Sequence, residues 1–238
     1  MTQTWGIIGM GWLGQKLSEN LSQKGVENWG TRSQDFDWGR DDFPAKSCDV
    51  LFLNTPPLVQ IAPEAFVAKI PTGDYRRIIF ISSISVYGHQ AGRITEQAKT
   101  LPSTDSARWL VAVEMLLSKK FKDHVTVIRP GGLIGGDRHP AKSLSQSQRS
   151  CAGNAPVNLI HRDDLVQIIV AVAEAEAAPS VINAVTPFHP TKKEYYSEWT
   201  AKLGIAPVQF TEMQEPAKIV SSDVLPKMYP DWLCPRLD

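Results

Sequence analysis

The run Gly9-Met10-Gly11-Trp12-Leu13-Gly14 constrains this chain more than any other stretch. It follows a short apolar run, Trp5 to Ile8, that reads as a buried strand. It precedes a segment with helical spacing at Leu13, Leu17 and Leu21. Strand, G-x-G-x-x-G, helix is the context in which a glycine pattern indicates dinucleotide binding. Gly9 allows the tight turn, Gly11 lets the backbone approach a pyrophosphate, and Gly14 lets the helix pack close to the strand. The phosphates then sit at a helix N-terminus, where unpaired N–H groups and the dipole favour negative charge. The competing reading is a tight strand-to-helix turn with no ligand.

The rest of the chain reads as alternating strands and helices. Val26 to Gly30 is a second strand, ending in Thr31-Arg32-Ser33. An acidic residue at that place favours the free ribose hydroxyl of NAD, whereas an arginine accommodates the 2′-phosphate of NADP. Arg32 with Thr31 and Ser33 therefore favours NADP, and Asp35 and Asp37 slightly beyond keep NAD open. Further strands are expected at Cys48 to Asn54, stopped by Thr55-Pro56-Pro57, at Arg77 to Ser82, at Val125 to Arg129 and at Ser180 to Val185. Helices are expected at Pro63 to Ile70, Ser106 to Phe121, Asp163 to Ala173 and Lys193 to Leu203, the last with Tyr196 and Trp199 as packing residues. Continuous apolar strands between helices mean a parallel sheet buried on both faces. The fold class is α/β, a Rossmann-type doubly wound parallel sheet with a small discontinuous C-terminal substrate lobe. Gly135 to Asn158 is polar and rich in Gly, Ser and Pro, either a surface loop or an excursion covering a ligand. The tail, with Pro207, Pro216, Pro226, Pro230 and Pro235, reads as short elements tied by turns.

Composition narrows the function. Lys+Arg and Asp+Glu are both 25, so net charge is zero and nothing suggests nucleic acid or an anionic membrane as a partner. Cys48, Cys151 and Cys234 have no paired spacing and suggest neither a disulfide framework nor a metal site. The N-terminus lacks a basic n-region, and no apolar run is long enough to span a bilayer. A cytoplasmic protein is expected.

Ser82-Ser83-Ile84-Ser85-Val86-Tyr87-Gly88 lies at the end of the Arg77 strand, where ligands of open α/β sheets bind. This segment resembles the SSxxVYG motif of the extended short-chain dehydrogenase/reductases, the NAD-dependent epimerase/dehydratase superfamily. The resemblance continues through Glu96, Pro102, Arg129-Pro130, Asn158-Leu159-Ile160-His161-Arg162-Asp163-Asp164 and Asn183. It covers nearly the whole chain. Together, GMGWLG, SSISVYG, RHP and VNLIHRDDL resemble the atypical YeeZ-like branch.

One element of that family is missing. Its enzymes carry a Tyr-x-x-x-Lys pair on the helix after SSxxVYG, followed four residues later by a glutamate. With Glu114 as that glutamate, the tyrosine position is Ser106 and the lysine position Leu110. Counting from Tyr87 instead puts Ala91 at the lysine. The lysine charge lowers the tyrosine pKa and holds the nicotinamide ribose; Leu110 does neither. Without a cationic neighbour, Tyr87 is expected to keep a pKa near ~10.

The resemblance implies an NAD(P)-binding protein acting as a nucleotide-sugar epimerase, dehydratase or reductase. The alternative is a non-catalytic dinucleotide-binding redox sensor or regulatory protein. Ser83 and Tyr87 are the catalytic candidates. The cofactor is expected against Gly9, Met10, Gly11, Trp12, Leu13 and Gly14, then Thr31, Arg32, Ser33, Asn54, Thr55 and Pro56, and at Ser82, Arg129 and Pro130. Substrate contacts are expected at Tyr87, His89, Gly131, His139, Asn158 and His161. His139 and Lys142 read equally well as solvated loop residues, and Asp163 and Asp164 as helix caps. The cofactor domain is expected over residues 1–135 and 158–186, and the substrate lobe over 136–157 and 187–238. The family also implies a homodimer, with the helix around Ser106 to Phe121 in the interface.

Overall fold

A computed structural model describes residues 3–147, 149–212 and 217–238. In chain order the elements are β1 (Trp5–Ile8), α1 (Trp12–Gln23), β2 (Asn28–Thr31), β3 (Val50–Leu53), α2 (Pro63–Lys69), β4 (Arg77–Ile81), β5 (Gly92–Ile94) and α3 (Asp105–Phe121). Then follow β6 (Val125–Pro130), β7 (Gly132–Ile134), α4 (Pro140–Ser147), β8 (Cys151–Ala152), β9 (Leu159–His161), α5 (Arg162–Glu174) and β10 (Val181–Ala184). The chain closes with α6 (Lys192–Leu203), β11 (Phe210–Thr211), β12 (Lys218–Val220) and α7 (Leu225–Met228).

Six strands form one sheet in the order β10-β6-β4-β3-β1-β2. β1 pairs in parallel with both β2 and β3, and β4 pairs in parallel with β3 and β6. β1, β3, β4 and β6 are buried at every residue, as their unbroken apolar sequences require. Arg77 and Arg129 are the charged exceptions, and the Arg77 guanidinium donates to the carbonyls of Asp123 and Ala175. The chain leaves β1 for β2 on one side and returns to β3 on the other. This makes the carboxyl ends of β1 and β3 the switch point where such sheets bind ligands. α3 starts on Thr104, whose hydroxyl accepts from the Ala107 amide, and carries Asp105 in its first turn and Lys119 and Lys120 in its last.

The chain divides into two compact units. The first comprises residues 1–88, 100–129 and 166–182, and the second 89–99, 130–165 and 183–238.

The second unit has short parallel pairs, β5–β12, β7–β9 and β8–β11, around a core that includes Ile134, Ala141, Val157, Tyr195, Tyr196 and Leu237. Here the structure corrects two sequence expectations and bears out a third. The polar excursion is not all loop, because α4 packs Ala141 and Leu144, a single i,i+3 apolar pair, into this core. Tyr196 is buried in this core and Trp199 packs against it, as expected, with Tyr195 buried beside them. Asp164 neither caps a helix nor faces outward. Its carboxylate accepts from the Tyr229 hydroxyl and from the amides of Leu233 and Cys234, which pins the tail to α5. Pro216 lies outside the described residues.

Candidate functional site

The glycine turn is fixed by contacts a larger residue would destroy. Gly9 has φ +103°, and a Cβ there would lie 2.3 Å from the Asn54 carbonyl oxygen. A Cβ on Gly14 would lie 2.3 Å from the Gly9 carbonyl oxygen, so this glycine sets how closely α1 lies against the turn. Gly11 differs, since a Cβ there meets nothing within 4 Å. The backbone at Gly11 thus borders open space at the start of α1. That helix has no side-chain cap and no acidic residue in its first turn. Its leading amides and dipole are disposed toward an anion. Neighbouring strands hold the turn in place: the Asn54 side-chain amide donates to the Gly9 carbonyl at 3.0 Å, and the Met10 amide donates to the Thr31 carbonyl at 2.7 Å.

Beside the turn lies a cavity of about 250 Å³. Of the expected cofactor residues, Gly9, Thr31, Arg32, Ser33, Thr55 and Pro56 line it, along with Ile8. The remaining walls are Phe36, Asp37, Trp38, Leu58, Gln60 and Ile61. Apart from Asp37, weighed for NAD, the sequence reading missed them. Their one signal was large apolar residues standing in otherwise polar loops. Two polar atoms in these walls, Thr55 Oγ1 and Trp38 Nε1, are buried with no hydrogen-bond partner among the described residues. An unpaired buried donor costs about 1–3 kcal/mol, which a polar ligand would relieve. Asp37 is turned to its own loop, with Oδ1 accepting from the Gly39 amide at 2.7 Å. Open space over Gly11, a free helix start and unpaired donors in the adjoining walls fit a phosphate-bearing nucleotide.

Met10, Trp12, Leu13, Gly14 and Asn54 frame this turn. Ser82 and Arg129 belong to a different arrangement. The Arg129 guanidinium grips Glu114 with Nε–Oε1 3.2 Å and Nη2–Oε2 2.6 Å, and its Nη1 donates to the Tyr87 hydroxyl at 2.9 Å. The Ser82 hydroxyl donates to Glu114 Oε1. All four side chains are buried, Tyr87 completely. Burial opposes the Arg129 charge, but Glu114 and Tyr87 outweigh it and hold the pKa above the ordinary arginine value. The expectation that Tyr87 lacks a cationic neighbour is thereby corrected. The cation comes from β6, 42 residues away, and its carbon also lies 5.1 Å from the Tyr87 ring centre. At the family's Tyr–Lys positions, Ser106 is exposed and Leu110 buried. Ser83 starts the short turn Ile84–Tyr87, its hydroxyl accepting from the Ser85 amide at 3.0 Å.

Most of the expected substrate residues of the second unit are occupied with holding it together. Asn158 bonds the Lys218 carbonyl and the Val220 amide, pinning β12. Gly131 is packed so closely that a Cβ would lie 2.6 Å from the Asn158 carbonyl oxygen. His139 is buried in the core. Its Nδ1 accepts from the Ala141 amide, so Nε2 carries the hydrogen and donates to the Tyr195 hydroxyl at 3.1 Å. Burial, then the Lys142 charge, push its pKa down to about 4. The solvated-loop alternative for His139 is thus corrected. His161 Nδ1 accepts from the Asp163 amide at 3.2 Å, Pro130 is buried at the end of β6, and His89 is exposed. Donor atoms of His161, Asp164 and Cys234 lie within 4.8 Å of one another, but Asp164 already accepts three hydrogen bonds.

No family model matches the chain. It is 27% identical to protein YeeZ of Escherichia coli K12 over 89% of this chain and 88% of that protein. Its fold matches UDP-glucuronic acid 4-epimerase from Bacillus cereus, solved with NAD (TM-score 0.75, 15% identity, 93% of this chain and 90% of that one). It also matches RMD from Pseudomonas aeruginosa, solved with NADPH (TM-score 0.75, 15% identity, 96% and 93%). These likenesses show a shared fold, a Rossmann-type architecture around one parallel sheet. No helix among the described residues is long and apolar enough to cross a membrane.

Proposed function

We propose that this chain binds NADP(H) at the glycine turn and belongs functionally with the epimerases, dehydratases and reductases of the extended short-chain type. It would act in the cytoplasm on a small, nucleotide-linked metabolite. One observation carries the reading: open space over Gly11 at an uncapped helix start, beside a cavity lined by Thr31, Arg32 and Ser33. The α1 amides would hold the pyrophosphate. Arg32 and Ser33, exposed at the end of β2, would hold a 2′-phosphate, and Asp37, engaged by the Gly39 amide, would not oppose it. When bound, such a cofactor supplies a hydride acceptor or donor. Ser83 would bond the substrate oxygen, and Tyr87 with Arg129 beside it is the remaining acid/base candidate. Among the expected substrate contacts, His89 and His161 are the ones proposed to recognise the substrate.

One observation favours the second reading, a non-catalytic dinucleotide sensor. The Tyr87 hydroxyl is fully buried against Arg129, and Leu110 stands where the family places its lysine. Both readings require the cofactor site, so a fluorescence titration of the purified protein with NADPH and NADH tests them together. NADPH is expected to bind about tenfold or more tightly than NADH, and Arg32→Asp to remove that preference. Binding of neither would show that the glycine turn is structural only.

A further inference from the structure

The loop of residues 36–42, which gives the cavity its Phe36, Asp37 and Trp38 wall, has no helix or strand of its own, yet it is held from behind. Trp38 lies flat on Phe66 of α2, ring centres 4.0 Å apart and planes 14° from parallel, with Phe36 and Phe43 edge-on to its ring. Lys69, the last residue of α2, donates to the Trp38 carbonyl and, at 2.7 Å, to the Asp41 carbonyl. These two bonds close the loop over its aromatic centre. α2 is itself fastened, because the Lys120 ammonium on α3 donates to the carbonyls of Val67 and Ile70. The opposite wall is held separately, with Trp109 Nε1 donating to the Ile61 carbonyl at 2.7 Å. Lys69 is half-buried and does not line the cavity, whereas the loop it closes supplies Phe36, Asp37 and Trp38 to it.

Resting on the cofactor reading above, we infer that Lys69 is a positioning residue for the dinucleotide: by tying the Trp38 and Asp41 carbonyls to α2, it fixes the wall against which the adenosine half binds. A loop of this length without such a tie samples many conformations, and ordering it would oppose binding. Lys69 thus governs affinity for the adenosine half but does not read the 2′-phosphate, which is the work of Arg32.

The test compares Lys69→Met with the unaltered protein. Methionine keeps helix propensity and the aliphatic stem but removes the donor. NADPH and NADH are expected to weaken together by about tenfold, leaving their ratio unchanged. 2′,5′-ADP should weaken by a similar factor and nicotinamide mononucleotide not at all. Lys69→Arg, with donors for both carbonyls, should restore binding. A purely structural role would lower the melting temperature without this split between fragments. Affinities of K69M within about twofold of the unaltered protein, or a changed NADPH/NADH ratio, would overturn the inference. If K69M fails to fold, hydrogen exchange on the unaltered protein decides: NADPH should slow exchange at residues 36–42, and no slowing overturns the proposal. Binding of neither dinucleotide by the unaltered protein removes the cofactor reading itself. An unaffected K69M removes only the role of Lys69.

Discussion

At the cavity beside the glycine turn, the Thr55 hydroxyl and the Trp38 indole N–H have no hydrogen-bond partner among the described residues, and Arg32 and Ser33 stand exposed. At Arg129, in the same unit, the guanidinium, the Glu114 carboxylate and the hydroxyls of Ser82 and Tyr87 bond one another out of water. The first arrangement leaves polar groups for a ligand. The second has closed on itself. Both were singled out by motif, so a motif match alone does not distinguish a residue that faces a ligand from one that holds the fold. The difference lies in whether each polar group already has a partner.

The contrast can be broken most sharply at Glu114. Glu114→Ala leaves the Arg129 charge buried without its counterion and should cost about 3–5 kcal/mol in chemical denaturation, with little change in dinucleotide affinity of the folded protein. Lost binding with stability intact would mean that this cluster faces a ligand after all. His139 offers a second probe. Its folded pKa lies below the unfolded value, so the unfolded chain takes up a proton that the native state refuses. The stabilisation is complete above the unfolded pKa of about 6.5 and falls as pH drops toward 4. Unfolding free energy should fall by about 2 kcal/mol from roughly pH 7 to 5, and His139→Gln should flatten that slope. An unchanged slope in the variant would place His139 outside the core framework. The smallest effect is expected at Gly11. Gly11→Ala meets no atom within 4 Å, so stability should shift by no more than about 1 kcal/mol. Dinucleotide affinity should nonetheless drop about tenfold. Unaltered affinity would mean that nothing approaches the turn there.

What the sequence made legible was local or periodic. The buried strands announced themselves as unbroken apolar runs, and the turn as glycines between strand and helix. The cavity walls at Phe36, Trp38, Leu58 and Ile61 were not legible, since these residues lie in loops where no period marks a common surface. α4 was hidden because only Ala141 and Leu144 face the core. The Arg129–Tyr87 bond joins residues 42 positions apart, and Asp164 serves a tail some 70 positions away. Such pairings arise from topology, and spacing along the chain does not encode them.

The Asp164 clasp has a genetic corollary. Two of its three bonds go to main-chain amides, at Leu233 and Cys234, and thus depend on the distance along the tail more than on which residues compose it. Between α7 and Leu237, whose side chain is fully buried, point changes at exposed positions should be inherited freely. A single codon gained or lost would shift every later anchor by one residue. Related genes should therefore vary in this stretch by replacement while conserving its length.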